Sequence, residues 1–237
     1  MTRRVPSPFL DVGNAMLAVK DRAAWMEPPP PRDGCRVTPL IEAAVMYPAL
    51  EDLMLDAQEG VWLSFRVFDP DTKTRSDRAR DAGLHDWAAL VDHTVRRGVE
   101  VRILLSDFEP VLADYLHAGS WSTFLRLREV VEALAEPDRD RLQLMVVQHE
   151  GEMGWGLRQL LRLVLRRHVR KLVEKLLKRK EPKDGGLDTR PGLWQFLKWK
   201  ADGPTGWRPA PPPRLWPATY HQKFVVVDGR KAIIGGL

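Results

Sequence analysis

Cysteine, long apolar runs and a secretory leader are what this sequence lacks. Cys35 is the one cysteine in 237 residues, so no disulfide can form within the chain, and a reducing compartment suits it. No run approaches the roughly 18 apolar residues that cross a bilayer. The first residues, MTRRVPSP, lack the apolar stretch of a secretory signal. We therefore expect a cytoplasmic protein whose membrane contacts are peripheral.

Residues 1–37 differ in composition from the rest and are predicted to be a Pro-rich extension. Consecutive prolines at positions 28–31 favour a stiff polyproline stretch. Residues 38–237 make up most of the 27.1 kDa mass, and 44% hydrophobic with 29% charged residues is ordinary for a globular protein. We therefore expect a domain that is large enough to bury a sizeable core.

Helical and strand patterns alternate along residues 38–147. Stretches with a helical apolar period predict helices, the first of them capped by Thr38 and ended by Gly60, and short apolar runs predict strands. This alternation predicts an α/β domain in which a layered mixed sheet is flanked by helices. The predicted helices are 39–59, 84–97 and 122–134, and the predicted strands are 61–68, 99–105 and 142–147.

The carboxy-terminal residues hold the most informative pattern, H-x-K-x4-D-x6-G-G. From composition alone, chance would produce this register on the order of one time in ten thousand. The apolar run 224–227 predicts a central strand covered on both faces, Asp228 and Gly229 predict a turn, and 232–234 predicts the return strand. The residues of the pattern are His221, Lys223, Asp228, Gly235 and Gly236.

Two side chains of this pattern suit phosphodiester chemistry. Because successive residues of a strand alternate, we expect His221 and Lys223 to point to the same face. A neutral imidazole is a competent nucleophile near neutral pH and its protonated form is an acid, whereas an ammonium group stabilises charge that grows on phosphate oxygens. Gly235 and Gly236 have no side chains, so a backbone or a phosphate can come close there.

The pattern resembles the signature of the phospholipase D superfamily, and the run RRGVEVRILLSD resembles the helix-to-strand junction ahead of that signature. The resemblance implies that His221 is the nucleophile or general acid, that Lys223 contacts the phosphate, and that Asp228 supports a histidine. It also implies an active site built from two facing motifs. One histidine forms a phosphohistidine and the other protonates the leaving group, with neither metal nor cofactor.

The Gly-Gly-hydrophobic ending and the Gln of His-Gln-Lys resemble members of that superfamily that act on phospholipids. The expected function is then hydrolysis or transphosphatidylation of a phospholipid, similar to phospholipase D or cardiolipin synthase. One motif is present, so we expect the second from a missing carboxy-terminal half or from a second subunit, and the chain alone to be inactive. The alternatives are a homodimeric single-motif nuclease and an inactive fragment or binding module.

Segment 156–180 carries ten basic residues and one acidic residue, a net charge of +9 against +5 for the whole chain. The rest of the chain is thus slightly acidic, which makes nucleic acid a less expected partner. The apolar positions 157–164 and 169–176 form stripes rotated by roughly a third of a turn, which predicts two short amphipathic helices meeting near 167–168. The segment is predicted to be a basic helical insertion that contacts an anionic membrane or another polyanion; the alternative is a core-packed helix with a solvated basic face. The candidate contact residues are Arg162, Arg166, Arg167, Arg170, Lys171 and Lys175.

Segment 181–219 is rich in proline, glycine and tryptophan and is predicted to be a long functional loop or a disordered stretch. Amphipathic indole rings favour the interface of a lipid bilayer, so Trp194 and Trp199 are predicted membrane contacts. The alternative is that these tryptophans attach the loop to the domain.

Overall fold

A computed structural model describes residues 34–179, 185–209, 211 and 213–235. Residues 40–237 belong to one compact unit, which begins two residues after the predicted domain start. Residues 34–39 have no helix or strand. The polyproline stretch, Lys180 and Gly236 lie outside the described residues.

The described residues form a mixed α/β structure. Its strands are β1 (Gly60–Phe65), β2 (Glu100–Ser106), β3 (Leu142–Val147), β4 (Leu197–Lys200), β5 (Gly203–Trp207), β6 (Lys223–Val227) and β7 (Lys231–Ile234). Its helices are α1 (Ala43–Asp56), α2 (Asp77–Asp81), α3 (Trp87–Arg96), α4 (Asp114–Ala133), α5 (Asp138–Arg141) and α6 (Trp155–Leu177). The general prediction, an α/β fold with a mixed sheet and flanking helices, is thereby confirmed.

Five strands form one mixed sheet in the order β3-β2-β1-β6-β7. Strands β1, β2 and β3 are parallel, β6 is antiparallel to β1, and β6 and β7 form a hairpin. The predicted strands 99–105 and 142–147 match β2 and β3 to within one residue at each end. The carboxyl ends of the three parallel strands therefore meet the amino end of β6 at one edge of the sheet.

The helices between the parallel strands lie on one face of the sheet, where they cover the main core. Successive crossovers in one direction have the same hand, so α3 and α4 fall on the same side. This sheet core combines inward residues of the strands with the apolar faces of α1, α3 and α4. Its most buried members are Leu50, Val61, Leu63, Leu90, Val95, Val101, Ile103, Leu127 and Val225.

The other face of the sheet is more open. Trp62 on β1, Met145 on β3 and Ile234 on β7 are exposed there. In β6, Val225 and Val227 are buried, whereas Phe224 and Val226, which alternate with them, are half-buried. The expectation that 224–227 is covered on both faces was therefore wrong, because the crossover helices all lie on one side.

Helix α1 is shorter at both ends than the predicted helix 39–59. It begins at Ala43 without a side-chain cap, so Thr38 is not the cap that was predicted, and it ends at Asp56. Beyond that point the backbone N–H groups of Gln58, Glu59 and Gly60 donate to the carboxylate of Asp228. These donors are engaged by a side chain rather than by helical carbonyls, so the helix stops before Gly60, which instead begins β1.

A second, smaller core surrounds α6. We call it the α6 core, and it consists of Val111, Leu165, Val169, Val173, Leu176, Leu193, Phe196, Leu197 and Leu215. Helix α6 runs without interruption for 23 residues, so the predicted break near 167–168 is wrong. The predicted loop 181–219 also contains regular structure, since a 3-10 turn at Pro191–Phe196 leads into the β4-β5 hairpin.

Candidate active site

The motif strand is fixed by a tight hairpin. Strand β6 pairs with β1 on one side and with β7 on the other, as the turn and return strand predicted. Asp228 and Gly229 have φ values of 52° and 61°, and the N–H of Arg230 donates to the carbonyl of Val227 at 3.0 Å. Three residues, 228–230, connect the paired strands, and positive φ at both central residues of the Val227–Arg230 turn favours an Asp-Gly pair.

The residues just before β6 are attached to the carboxyl ends of all three parallel strands. The Gln222 carbonyl accepts from the N–H of Arg66 at 3.0 Å, which extends the pairing with β1. The Tyr220 carbonyl accepts from the Ser106 hydroxyl at 2.9 Å, at the end of β2. The Tyr220 ring lies 4.9 Å from the ring of His149, which follows β3. His221 is therefore held between two anchored neighbours.

Two side-chain hydrogen bonds also hold residues 219–222, the segment just before β6. The Ser64 hydroxyl donates to Oε1 of Gln222 at 3.2 Å, and the Thr219 hydroxyl donates to the carbonyl of Asp107 at 3.2 Å. Sequence reasoning missed the positioning roles of Ser64, Ser106 and His149. Their partners are more than 70 residues away along the chain, so no local spacing marks them.

Lys223 lines a cavity of about 340 Å³, while His221 is exposed outside its lining. Within the described residues, neither the imidazole of His221 nor the ammonium of Lys223 makes a hydrogen bond or an ion pair. Both groups are thus open to a ligand. The volume lies in the range of ligand pockets, about 300–1,000 Å³.

The walls of this cavity are largely apolar and aromatic. Its polar lining includes two cationic side chains, Arg66 and Lys223, and one acidic side chain, Asp69. The guanidinium of Arg66 also stacks on Phe108 at 5.4 Å from the ring centroid. The apolar walls come mainly from Met46, Tyr47, Leu50, Phe65, Phe68, Trp87 and Ile233. The cavity therefore suits a ligand with an apolar body and one anionic group.

Asp228 lies at the far end of β6 from His221. Six residues lie between them, so seven steps of extended chain span about 23 Å. Partial burial raises the pKa of the Asp228 carboxyl, but the N–H donors of Gly60, Glu59 and Gln58, together with Arg230, outweigh burial and hold the pKa below its usual range. Asp228 was expected to support a histidine; among the described residues its carboxylate instead accepts from the backbone at the start of β1.

Gly235 lies in the cavity lining and Gly236 lies outside the described residues. The N–H of Gly235 donates to the carbonyl of Lys223 at 2.9 Å. This N–H is therefore engaged in the hairpin and is not free to donate to a phosphate. A Cβ at this position would approach Sδ of Met46 to 3.4 Å, so the glycine also keeps the cavity wall open.

A buried Asp–His pair at the same edge was not predicted. Nδ1 of His117 lies 2.7 Å from Oδ1 of Asp107, and the indole of Trp121 donates to Oδ2 at 3.3 Å. The N–H of Gly192 donates to Nε2 of His117 at 3.3 Å. Because His117 contacts Asp107 through Nδ1 and Gly192 through Nε2, this buried pair connects the sheet to the α6 core.

Glu109, two residues after Asp107, is also buried. Burial raises the pKa of its carboxyl, which outweighs the opposing effect of the N–H groups of Leu112 and Val111 and of His117 and His168. It accepts from the N–H of Val111 at 3.0 Å, so its role is to shape the loop that carries Val111 into the α6 core.

The candidate membrane residues have different environments. Arg162, Arg167, Lys171 and Lys175 are exposed, whereas Arg166 is half-buried. Arg170 pairs with Glu174 at 2.7 Å and lies over the Trp207 ring, so its predicted role as a polyanion contact is weakened.

Trp194 packs against the α6 core and donates to the carbonyl of Leu187 at 2.8 Å, which makes it a packing residue rather than the membrane contact expected. Trp199 is exposed and stacks edge-on against Trp194.

None of the described helices is both long and apolar enough to cross a membrane. In the described ranges no three His, Cys, Asp or Glu side chains are grouped as metal ligands. No protein-family model matches the chain, and no curated protein matches it either.

Proposed function

We propose that this chain supplies one histidine–lysine motif of a phosphodiesterase acting on phospholipids, by hydrolysis or by transfer to an alcohol. The observation that carries the proposal is the position of the motif. Lys223 lies along an apolar cavity, and His221 precedes it between the anchored residues Tyr220 and Gln222. An imidazole and an ammonium group in this spacing suit phosphoryl transfer through a histidine.

The proposed reaction has two steps. A nitrogen of one imidazole attacks phosphorus, a P–N bond forms, and the P–O bond to the leaving alcohol breaks as a second imidazolium gives that oxygen its proton. Water or an alcohol then attacks the phosphohistidine while the second imidazole takes its proton, and the P–N bond breaks. His221 takes one of these two roles, and Lys223 stabilises the charge on the phosphate oxygens.

The cavity favours a phospholipid over a nucleic acid. A nucleic-acid strand requires a basic groove that follows several phosphates. This cavity offers two cations offset by one acid and otherwise mostly apolar walls. A single phosphodiester attached to an apolar body matches that composition, with the phosphate at Lys223 and the apolar part against Tyr47, Phe65 and Trp87.

The second imidazole is proposed to come from a second motif, in a further segment of chain or in a second subunit. His117 does not replace it, because His117 is buried against Asp107. A monomer of the described residues is therefore expected to have negligible turnover.

The test measures turnover of a short-chain phosphatidylcholine and of a phosphodiester-linked oligonucleotide over a range of protein concentrations. If a second subunit completes the site, the specific activity rises with dimer formation. His221→Ala should then lower kcat by at least a hundredfold, and Lys223→Ala should lower kcat/KM by about as much through a lost contact to the transition state. An acid-labile phosphorus adduct should form with the wild type and not with His221→Ala.

Matched controls are available on the same protein. His85 is an exposed histidine distant from the motif in sequence, and Lys231 is an exposed lysine on β7. His85→Ala and Lys231→Ala should keep full activity. Robust turnover by a strict monomer would refute the two-motif mechanism, and cleavage of the oligonucleotide in preference to the lipid would replace the phospholipid proposal with the nuclease.

A further inference from the structure

Helix α6 has apolar residues on two opposite faces. Packing into the α6 core accounts for only one of these faces. The inward face carries Leu161, Leu165, Val169 and Val173 into the α6 core. A different set of apolar residues lies in the first half of the helix. At 100° per residue, these lie within about 120° of arc, centred on the opposite side. They are Leu157, Leu160, Leu163 and Val164.

This second face is exposed. The exposed fractions are 79% for Leu160, 67% for Leu163 and 66% for Val164. Isolated exposed leucines are common on proteins, but neighbouring ones along one helix face form a patch that marks an interaction site.

The same arc becomes basic in the second half of the helix. Arg167, Lys171 and Lys175 follow the leucines on it, and all three are exposed. In the part of the chain that the structure describes, none of them forms an ion pair, whereas the neighbouring Arg170 is paired with Glu174. We call these three cations together with the four apolar residues the α6 outer face.

We propose that the α6 outer face docks on an anionic lipid bilayer. A leucine-rich turn can enter the boundary between head groups and acyl chains while basic residues of the same face contact lipid phosphates. When the helix lies along the surface, its apolar side chains enter the apolar boundary while the longer basic side chains reach outward to the phosphates. The inference does not depend on phosphodiester chemistry at His221.

Two other occupants fit the face less well. Duplex DNA offers phosphates for the three cations but leaves the exposed leucines against a charged backbone. A second copy related by a two-fold axis pairs leucines when the helices are parallel in register, yet it then also brings the like-charged basic ends together. An anionic bilayer alone satisfies both the apolar and the basic part.

The experiment is flotation of the purified chain with phosphatidylcholine vesicles that contain or lack phosphatidylglycerol. The wild type should float only with the anionic vesicles and should be released as salt rises, because the charge contacts are screened. Arg167→Glu, Lys171→Glu and Lys175→Glu combined should weaken partitioning roughly a hundredfold or more. Leu160→Gln, Leu163→Gln and Val164→Thr combined should weaken it by a similar or larger factor.

The matched controls make the same kinds of substitution, charge reversal and loss of an apolar side chain, outside the α6 outer face. Arg80→Glu, Arg96→Glu and Arg128→Glu make the same charge change at exposed positions of other helices. Tyr115→Ser removes an exposed apolar side chain from α4. Both controls should float like the wild type. A fluorophore on Leu160→Cys, in a Cys35→Ser background, should report an apolar environment when anionic vesicles are added.

Each of the following results would overturn the proposal. One is that the wild type ignores anionic vesicles at low salt. Another is that the apolar variant floats unchanged, which would leave charge alone as the cause. The third is that the apolar variant converts a wild-type dimer to a monomer, or that duplex DNA at matched ionic strength competes fully with the vesicles. Thermal unfolding of each variant near the wild-type temperature ensures that lost flotation is not lost folding.

Discussion

The sheet core and the α6 core differ in how the chain builds them. Buried residues of the sheet core come from strands and helices that alternate along residues 50–142 and from the hairpin strand β6. Those of the α6 core come from three separated stretches, at Val111, along α6 and at residues 193–215. The first core is therefore specified mostly by local pattern, whereas the second depends on long-range contacts.

Buried polar groups make those long-range contacts. The N–H of Gly192 donates to His117, and the buried Arg190 reaches the carboxylate of Asp114 at 3.6 Å. Both contacts attach the 3-10 turn to the start of α4. Because elements with fewer buried apolar residues open at lower free energy, we expect the α6 core to unfold locally before the sheet core does.

The largest expected effects come from truncating one leucine in each core. Leu63 and Leu165 are both buried, so changing either to alanine should cost about 2–5 kcal/mol of local stability. Leu63→Ala should lower the free energy of global unfolding. Leu165→Ala should chiefly remove hydrogen-exchange protection from α6 and leave that of β1 and β2 intact. Equal loss of protection in both cores would show that they form one cooperative unit.

Gly192→Ala tests the junction between the two cores. A Cβ there would lie 2.5 Å from Cβ of Pro110 and 3.2 Å from Nε2 of His117. The chain must shift, and overpacking of this kind costs about 1–3 kcal/mol. The loss should appear as faster exchange in the 3-10 turn and in α6, measured by hydrogen-exchange mass spectrometry.

Gly119→Ala is the matched control for that change. Gly119 lies inside α4 and a Cβ there meets nothing within 4 Å. Alanine in a helix interior is favoured over glycine by about 0.8–1.0 kcal/mol, so this variant should be slightly more stable than the wild type. If both substitutions had the same effect, the close approach at Gly192 would not be what holds the α6 core.

Asp228 tests the long-range contact that belongs to the sheet core. Asp228→Ala removes the acceptor for three N–H groups and places alanine at a positive φ, so about 1–3 kcal/mol of stability should be lost. Asp228→Asn keeps one oxygen acceptor and tolerates the positive φ, so it should lose less.

The effect of Asp228 should also depend on pH with a defined sign. The pKa of its carboxyl is held low in the folded state, so its stabilisation is present above the ordinary range of an aspartate and is lost as pH falls through the folded pKa. The stability gap between wild type and Asp228→Asn should therefore narrow below about pH 4. Urea unfolding at several pH values measures it, and a gap that widens in acid would contradict the contact.

Local pattern explains which parts of this structure were predictable. Alternation and turn chemistry predicted β2, β3 and the β6-β7 hairpin, and with it the position of Lys223 at the start of β6 and of His221 two residues before it. The partner of Asp228 was not predictable, because Gly60 is 168 residues away in sequence. The Asp107–His117 pair was missed for a related reason, since its two residues lie on different elements and only tertiary packing buries them.

The basic helix shows how a correct observation led to a wrong interpretation. The two apolar stripes of 157–164 and 169–176 do differ in direction, which suggested two helices. In the structure α6 is continuous, and the stripes differ because the first includes exposed residues whereas the second packs into the α6 core. Hydrophobic periodicity marks apolar faces but does not say which of them is covered.

Two adjacent leucines on α6 test directly whether its exposed and its covered apolar faces contribute differently to stability. This is the smallest of the expected effects. Leu160 is exposed, whereas Leu161 packs against the α6 core. Leu160→Gln should change the free energy of unfolding by less than about 0.5 kcal/mol, since surface substitutions away from packed contacts rarely do more. Leu161→Gln buries an amide and loses packing, so it should cost more than about 1 kcal/mol. Chemical denaturation of the two variants side by side measures both, and a large loss from Leu160→Gln in the isolated chain would mean that the α6 outer face is packed in solution rather than available to a bilayer.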